Sequence, residues 1–555
     1  SWLTDSVFNP SMNSDQTKND KSKKDKNAKP LAKNYNWDYI KTMLYQVPVK
    51  NGNIGNLVAA DGYLYWLDAP SDQNNNDGAK MYAIKIEESK KYEPTEVASG
   101  VSAFNLSADG KKLLVNYTDQ TIAITDANGA KIDKDKSKLQ LDNWSFVIDP
   151  QQDWKQMFDD AWRMMRDYFY DRDLHKVNWL AIKEQYEPLL ARITDRDELD
   201  NLLSQMVGEL SALHTFVYGG DKRRSPDMIQ AGSLGCTFTK TNKGLRIEHI
   251  IKSDPDYPDF SSPLNKPELK IKEGDIITAV NNVSLKDVAD ITELLENKVR
   301  VPVKLSLLDK NDKPYEQVVK PCSAEDAFTL RYEEWELANR EKVDSMSNNN
   351  IGYIHLKAMT GTDMDDFVKQ FYPVFNREGL ILDVRDNFGG NIDSWVLEKL
   401  MRKAWMYWQG RSGGPTWNMQ YAFRGHMVIL CNQQTSSDGE AITEGFRRLG
   451  FGKVIGMRTW GGEIWLSSDN RLVDNGIASA AETGVYGPEG KWLIEGRGVE
   501  PDITIDDLPY ETYKGKDAQL EFAVDYLKKE IKDNPVVVPP APPHPDKSFN
   551  YDEHK

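Results

Sequence analysis

Met427-Val-Ile-Leu-Cys-Asn-Gln-Gln-Thr-Ser-Ser-Asp-Gly-Glu-Ala-Ile442 is the stretch that decides how this chain is read. Met427 to Cys431 is an apolar run with the length of a buried strand. Asn432 to Ser437 is a polar turn, and from Glu440 the composition is that of a helix start. A serine between a buried strand and a helix N-terminus has its Oγ fixed by a rigid turn. The free N–H groups of the first helical turn then face any negative charge that grows beside it. Ser437, just before Asp438-Gly439, is the candidate nucleophile. Read locally, Ser436 and Ser437 serve equally well as helix caps.

The sequence beyond this stretch bounds the choice. At 555 residues the chain is too long for one core, and about three or four domains are expected. Hydrophobic content of 39% and charged content of 28% fit a soluble multidomain protein, and no apolar run is long enough to cross a bilayer. A net charge of −16 argues against nucleic acid or an anionic membrane as partner. Cys236, Cys322 and Cys431 are far apart and odd in number, which fits buried free thiols rather than disulfides or a zinc site. Free thiols lean toward a reducing, cytoplasmic interior, although the true N-terminus is expected to lie upstream of Ser1.

Taken in order, residues 1–36 are polar and lysine-rich and read as a strand remnant with a long loop. Residues 37–148 have a period of two, with Asp-Gly or Asn-Gly turns at Asp61-Gly62, Asp109-Gly110 and Asn128-Gly129. They resemble β-propeller blades too few to close a ring. At Asp149-Pro150 the period becomes helical: Trp154, Met157, Phe158, Ala161, Trp162, Met165 and Phe169 share one face behind an Asp cap and an N-terminal Pro. The helical region 149–226 ends by delivering His214 into a loop. Residues 227–322 resemble a PDZ domain, with Gly232-Ser-Leu-Gly as the carboxylate-binding loop, and such a groove takes an extended peptide as an added strand. Residues 323–350 are charged and helix-prone and read as a linker. From 351 to 535 strands and helices alternate as in an α/β layer fold, and 536–555 is a proline-rich tail. The expected fold class is therefore multidomain α+β, with an α/β catalytic domain.

A serine nucleophile needs a base, and the chain holds only seven histidines. His544 and His554 lie in the tail, His249 in the PDZ-like region and His355 within a strand. His426 begins the strand that Ser437 follows, roughly 15–20 Å away at about 3.3 Å per residue. His175 sits in a charged turn. His214, beside Ser211 and Thr215 and before Gly219-Gly220, is the better base. An oxyanion needs at least two aimed N–H groups, each worth about 3 kcal/mol in the transition state. Asp438 offers one, and Asp386-Asn-Phe-Gly-Gly-Asn391, where Gly389 and Gly390 permit close backbone approach, offers another. Glu495 follows an apolar run in which an unpaired carboxylate is costly, so it is a candidate for a paired role, with either the base or Arg497 as partner.

Gly208-Glu-Leu…His214, the PDZ-like insert, Asp383-Val-Arg-Asp-Asn-Phe-Gly-Gly390 and Ser437-Asp-Gly-Glu, with Gly-Val-Glu-Pro-Asp-Ile503 downstream, occur in the order seen in tricorn proteases. From about residue 37 onward the chain resembles this family of serine peptidases, which is related to the C-terminal processing peptidases. The resemblance implies Ser437 as nucleophile, His214 as base, Glu495 as the acid that orients it, and the amides of Asp438 and Gly389 as the oxyanion hole. It also implies a crotonase-like or ClpP-like catalytic core, oligopeptide substrates, no metal or organic cofactor, and a homo-hexamer. Two positions depart from the family. Its serine directly before the histidine is Leu213 here, which makes Ser211 a candidate relay, and Phe388 interrupts its glycine run. Two other readings follow from the same residues: a non-catalytic PDZ-based peptide-binding scaffold, and a crotonase-type enzyme acting on acyl thioesters.

Overall fold

The computed structural model describes residues 42, 47, 49–70, 78–86, 93–141, 145, 147–222, 225, 227–255, 260–466 and 470–548. The polar stretch 1–36 and the end of the proline-rich tail lie outside the described residues. The chain divides into two units, Ser1–Val147 and Ile148–Lys555.

In the first unit β1 (Asn53–Ala60), β2 (Tyr63–Ala69), β3 (Ala79–Lys85), β4 (Thr95–Leu106), β5 (Lys112–Tyr117) and β6 (Ile122–Asp126) form one antiparallel sheet in sequential order. The Asp61-Gly62 and Asp109-Gly110 turns stand between paired strands, with Gly62 and Gly110 at positive φ as such turns require. Tyr65, Met81, Val97, Phe104 and Val115 bury one face.

In the second unit Asp149 caps α1 (Pro150–Tyr168) through a hydrogen bond from the Gln151 N–H, with Pro150 at the first position. Helices α2 (Trp179–Tyr186) and α3 (Arg196–Gly208) pack against it. Their core is not their own: Ile464, Leu472, Ala478, Ala480 and Ala481, from a late segment without regular periodicity, are buried in the same cluster as Met157, Phe158, Leu203 and Leu210. Arg196, 7% exposed, donates to Asp474 at 2.6 Å and also pairs with Asp200, and Val217–Tyr218 pairs antiparallel with Ile477–Ala478.

A small antiparallel sheet follows, ordered β11 (Pro314–Val319), β10 (Val303–Leu308), β9 (Ile276–Val280), β8 (Leu245–Ile250) and β7 (Cys236–Lys240). The short pairing of Gly232–Ser233 with Cys322–Ser323 closes its base.

Residues 323–350, expected as a helix-prone linker, form a long helix, α4 (Ala324–Ser347), with a Ser323/Asp326 capping box, and it is part of the packed fold rather than a linker. It packs on β12 (Ile351–His355), the first strand of a parallel sheet ordered β12, β13 (Gly379–Asp383), β14 (His426–Cys431), β15 (Gly452–Gly456) and β16 (Ile503–Thr504). Side chains alternate between the two faces. Leu380, Leu382, Ile429 and Val454 meet α5 (Gly361–Val374), α6 (Asp393–Met401) and α7 (Asp438–Arg448). Ile381, Val428, Leu430 and Ile455 meet α4 and α8 (Ala518–Asp533). The turns after β13 and β14 therefore emerge side by side at the carboxyl edge of the sheet, where ligands bind in open α/β layers.

Arg385 ties this edge to α8. It is 4% exposed, donates to Asp383, Asp507, Asp517 and Gln519, and stabilises the buried Asp383 carboxylate. Arg385→Ala leaves a charge uncompensated in the core and is expected to lower unfolding free energy by about 3–5 kcal/mol, read from the midpoint of urea denaturation.

Candidate active site

Ser437 occupies the N-cap position of α7 with φ 54° and ψ −127°. That left-handed backbone is unfavourable for a residue with a side chain and costs about 1–3 kcal/mol, so the surroundings must impose it. They do so through the turn after β13. Asn387, fully buried, accepts from both the N–H and the hydroxyl of Ser436 at its carbonyl (2.9 and 3.0 Å), and its side-chain nitrogen donates to the Leu356 carbonyl at 2.7 Å. The Thr435 hydroxyl donates to the Val384 carbonyl at 2.7 Å, and the Asp386 N–H donates to Asn432 at 3.0 Å. Gly389 must be glycine: its φ is 81°, and a Cβ there would sit 2.4 Å from the Ser437 Cβ.

Ser437 and His214 line one cavity of about 470 Å³, together with Phe216, Phe388, Gly390, Gln434, Ser436, Trp460 and Leu466. The His214 ring is buried, held edge-on by Phe216 at 5.6 Å and Trp460 at 5.5 Å between centroids. Its Nδ1 is buried without a well-formed hydrogen bond. Burial pushes its pKa down to about 4, offset only in part by the Ile464 backbone. Four of the histidines set aside by position have occupied rings. His175 meets Tyr170 and the Leu210 carbonyl, His355 meets Tyr332 and the Arg385 carbonyl, His249 bridges Glu273 and Glu334, and His426 meets the Asn534 carbonyl.

Glu495 reaches the base through the backbone. Its carboxylate accepts the Leu213 N–H at 3.2 Å and the Glu463 N–H at 2.8 Å, and it makes no hydrogen bond to the His214 ring among the described residues. Arg497 is not its partner either; that guanidinium donates to the Trp492 carbonyl. Ser211 is exposed on the turn that ends α3, with φ 52°, and its hydroxyl bonds neither His214 nor Glu495.

The Asp438 N–H, beside Ser437, has no protein acceptor among the described residues. Gly389 differs from its expected part as an oxyanion donor: its N–H is already donated to the Asn387 side chain at 2.8 Å. It is Gly390, with no acceptor for its own N–H among the described residues, that lines the cavity. A Cβ on Gly390 would lie 2.0 Å from the Met359 carbonyl, so this position too demands glycine.

Carboxyl groups crowd beneath the serine. Asp438 accepts from the N–H groups of Ile392 and Asp393, and burial, aided by Asp393, raises its pKa to about 7. Burial raises Glu440 to about 7, and raises Glu463 to about 9 with help from Glu440 and Asp438. Glu440, Trp460, Phe216 and Asn387 escape the sequence reading. Only Glu440 leaves a local trace there, the Ser-x-x-Glu spacing of a capping box.

Residues 350–505 match the family model of peptidase family S41, residues 150–208 that of the tricorn protease C1 domain, and residues 232–324 that of the tricorn protease PDZ domain. Tricorn protease homolog 1 of Streptomyces coelicolor is 29% identical over 514 residues, which cover 89% of this chain and 47% of that protein. A putative tricorn-like protease C-terminal subunit of Sulfurisphaera tokodaii is 32% identical over 443 residues, covering 79% of this chain and 51% of that one. The crystal structure of the tricorn protease superimposes with a TM-score of 0.79 at 26% identity, over 88% of this chain and 47% of that one. The chain thus spans about half the length of the curated relatives it matches; its residues 350–505 belong to peptidase family S41, and the helical and PDZ segments before them are those of tricorn proteases.

Proposed function

We propose that this chain is a serine peptidase of tricorn type that hydrolyses oligopeptides through an acyl-enzyme. The observation that carries the reading is the single cavity lined by both Ser437 and His214. In it Ser437 Oγ attacks the scissile carbonyl. His214, neutral at pH 7 because burial depresses its pKa, takes the serine proton and returns it to the leaving amine. Charge on the carbonyl oxygen develops at the N-terminus of α7, where the free N–H of Asp438, with Gly390 as second donor, stabilises it. Glu495 fixes the peptide N–H of Leu213, next to His214, rather than polarising the ring, and Leu213 stands where the family's serine precedes the histidine.

The same reading takes residues 37–148 as blades of an incomplete β-propeller and residues 227–322 as a PDZ domain that receives peptide. It takes 351–535 as a crotonase-like or ClpP-like catalytic core. It also takes the assembly as a homo-oligomer, a hexamer by family resemblance, and the compartment as cytoplasmic. No helix among the described residues is long and apolar enough to cross a membrane.

Ser437→Ala and His214→Ala are each expected to lower kcat for a fluorogenic oligopeptide by at least about a thousandfold. Glu495→Gln, which disturbs only backbone contacts, should cost about tenfold. Unchanged hydrolysis in Ser437→Ala would refute the assignment.

His214 also predicts a pH dependence of stability. Its folded pKa, about 4, lies below the ordinary 6.5, so the unfolded chain takes up the proton first as pH falls. Its stabilising effect is complete above 6.5 and is lost between 6.5 and 4, by about 3 kcal/mol. Over that window the wild type should lose about this much more stability than His214→Gln, measured by chemical denaturation at each pH.

A further inference from the structure

We propose that Glu440 is a positioning residue that locks the serine and histidine segments into one register, through the loop Thr459–Glu463. This rests on the peptidase reading above and assigns a part to a carboxylate that takes no direct share in the proton transfer.

Glu440 is fully buried on the first turn of α7. Its two oxygens accept four hydrogen bonds. Oε1 takes the Thr459 hydroxyl and the Gly461 N–H at 2.7 Å, and Oε2 takes the Gly462 N–H at 2.8 Å and the Ser437 N–H at 3.3 Å. Every partner is a donor, so the site fits a group that only accepts, which a carboxylate alone supplies among side chains. The amide that carries the nucleophile and two amides of a distant loop thus share one side chain.

That loop reaches the base along three routes. Trp460 stands edge-on to the His214 ring, and its own N–H returns to the Thr435 carbonyl at 3.0 Å, two residues before Ser437. Gly462 lies against Leu213 so closely that an added Cβ would be 3.1 Å from the Leu213 Cβ. The Glu463 N–H binds Glu495, whose other oxygen binds the Leu213 N–H. Two carboxylates therefore bracket the loop, Glu440 on the serine side and Glu495 on the histidine side. Removing the first frees both the strained Ser437 backbone and the loop that sets the position of the ring.

The test compares the full chain with Glu440→Gln, whose amide nitrogen must confront at least one N–H donor. Steady-state hydrolysis and backbone hydrogen exchange are followed together. The expected result is kcat lowered at least tenfold with KM within twofold. Exchange should be faster in both 459–463 and 211–215, while the sheet strands keep wild-type protection. Wild-type turnover and exchange in Glu440→Gln would overturn the proposal. So would faster exchange confined to 459–463, because the link to His214 would then be absent. Thr459→Val removes one of the four bonds, together with the bond its hydroxyl accepts from the Val499 N–H, and keeps the carboxylate. It should shift both readouts in the same direction by a smaller factor, and it decides the matter where Glu440→Gln fails to fold. Should the wild type itself cleave no peptide, the peptidase reading fails, while the exchange comparison still decides whether the clamp exists.

Discussion

The arrangement depends on a few apolar side chains from late in the sequence that are buried in the core of the α1–α3 helices. Ile464, Leu472, Ala478, Ala480 and Ala481 complete a cluster that Met157, Phe158 and Leu203 only begin. At the edge of that cluster Arg196 pairs with Asp474, each almost without solvent. A buried ion pair adds little net stability, because desolvating both charges cancels most of the attraction, but it is intolerant of a shifted register. Docked in this way, the late segment carries Trp460 and Glu463 past the turn that holds His214, while β14 and α7 bring Ser437 to the other side. Two segments that are remote in sequence become neighbours because a third is buried between them.

The parallel sheet supplies the rigidity that such a site needs. Its strands β12, β13 and β14 are buried on both faces, and the turns after β13 and β14 bond to each other through Asn387, Thr435 and Asn432. This cross-bracing holds Ser437 in a backbone conformation it would not adopt freely. Close packing at Gly389, Gly390 and Gly439 leaves no room for a Cβ, so backbone rather than side chain forms the floor beneath the serine. Charge there is managed by burial and by N–H donors rather than by cations. Asp438 caps α6 and Glu440 gathers four donors, and neither has a salt bridge to a basic side chain among the described residues.

Legibility in the sequence followed periodicity. The strand at Met427, the helix after Ser437, the amphipathic α1 and the closing α8 were all readable, because one buried face imposes a period on the residues. Residues 323–350 read as helix-prone, but the packing of α4 on the sheet does not show in the sequence because its buried positions include Glu336 and Asn339, which break the apolar stripe. Ser437 and His214 could be singled out by local chemistry and by elimination. The contact of Glu495 with the Leu213 peptide could not, since its partner is supplied only by tertiary folding, whereas the N–H of Gly389 is occupied locally by the Asn387 side chain two residues before it. The segment 457–499 has little periodicity and so gave no sign that part of it is core.

The most direct test of the account is the site of covalent modification by a fluorophosphonate, mapped by mass spectrometry of the digested protein. The account predicts a single stoichiometric adduct on Ser437, formed far more slowly in His214→Ala. An adduct on another serine, or modification of Ser437 at the same rate without His214, would contradict it.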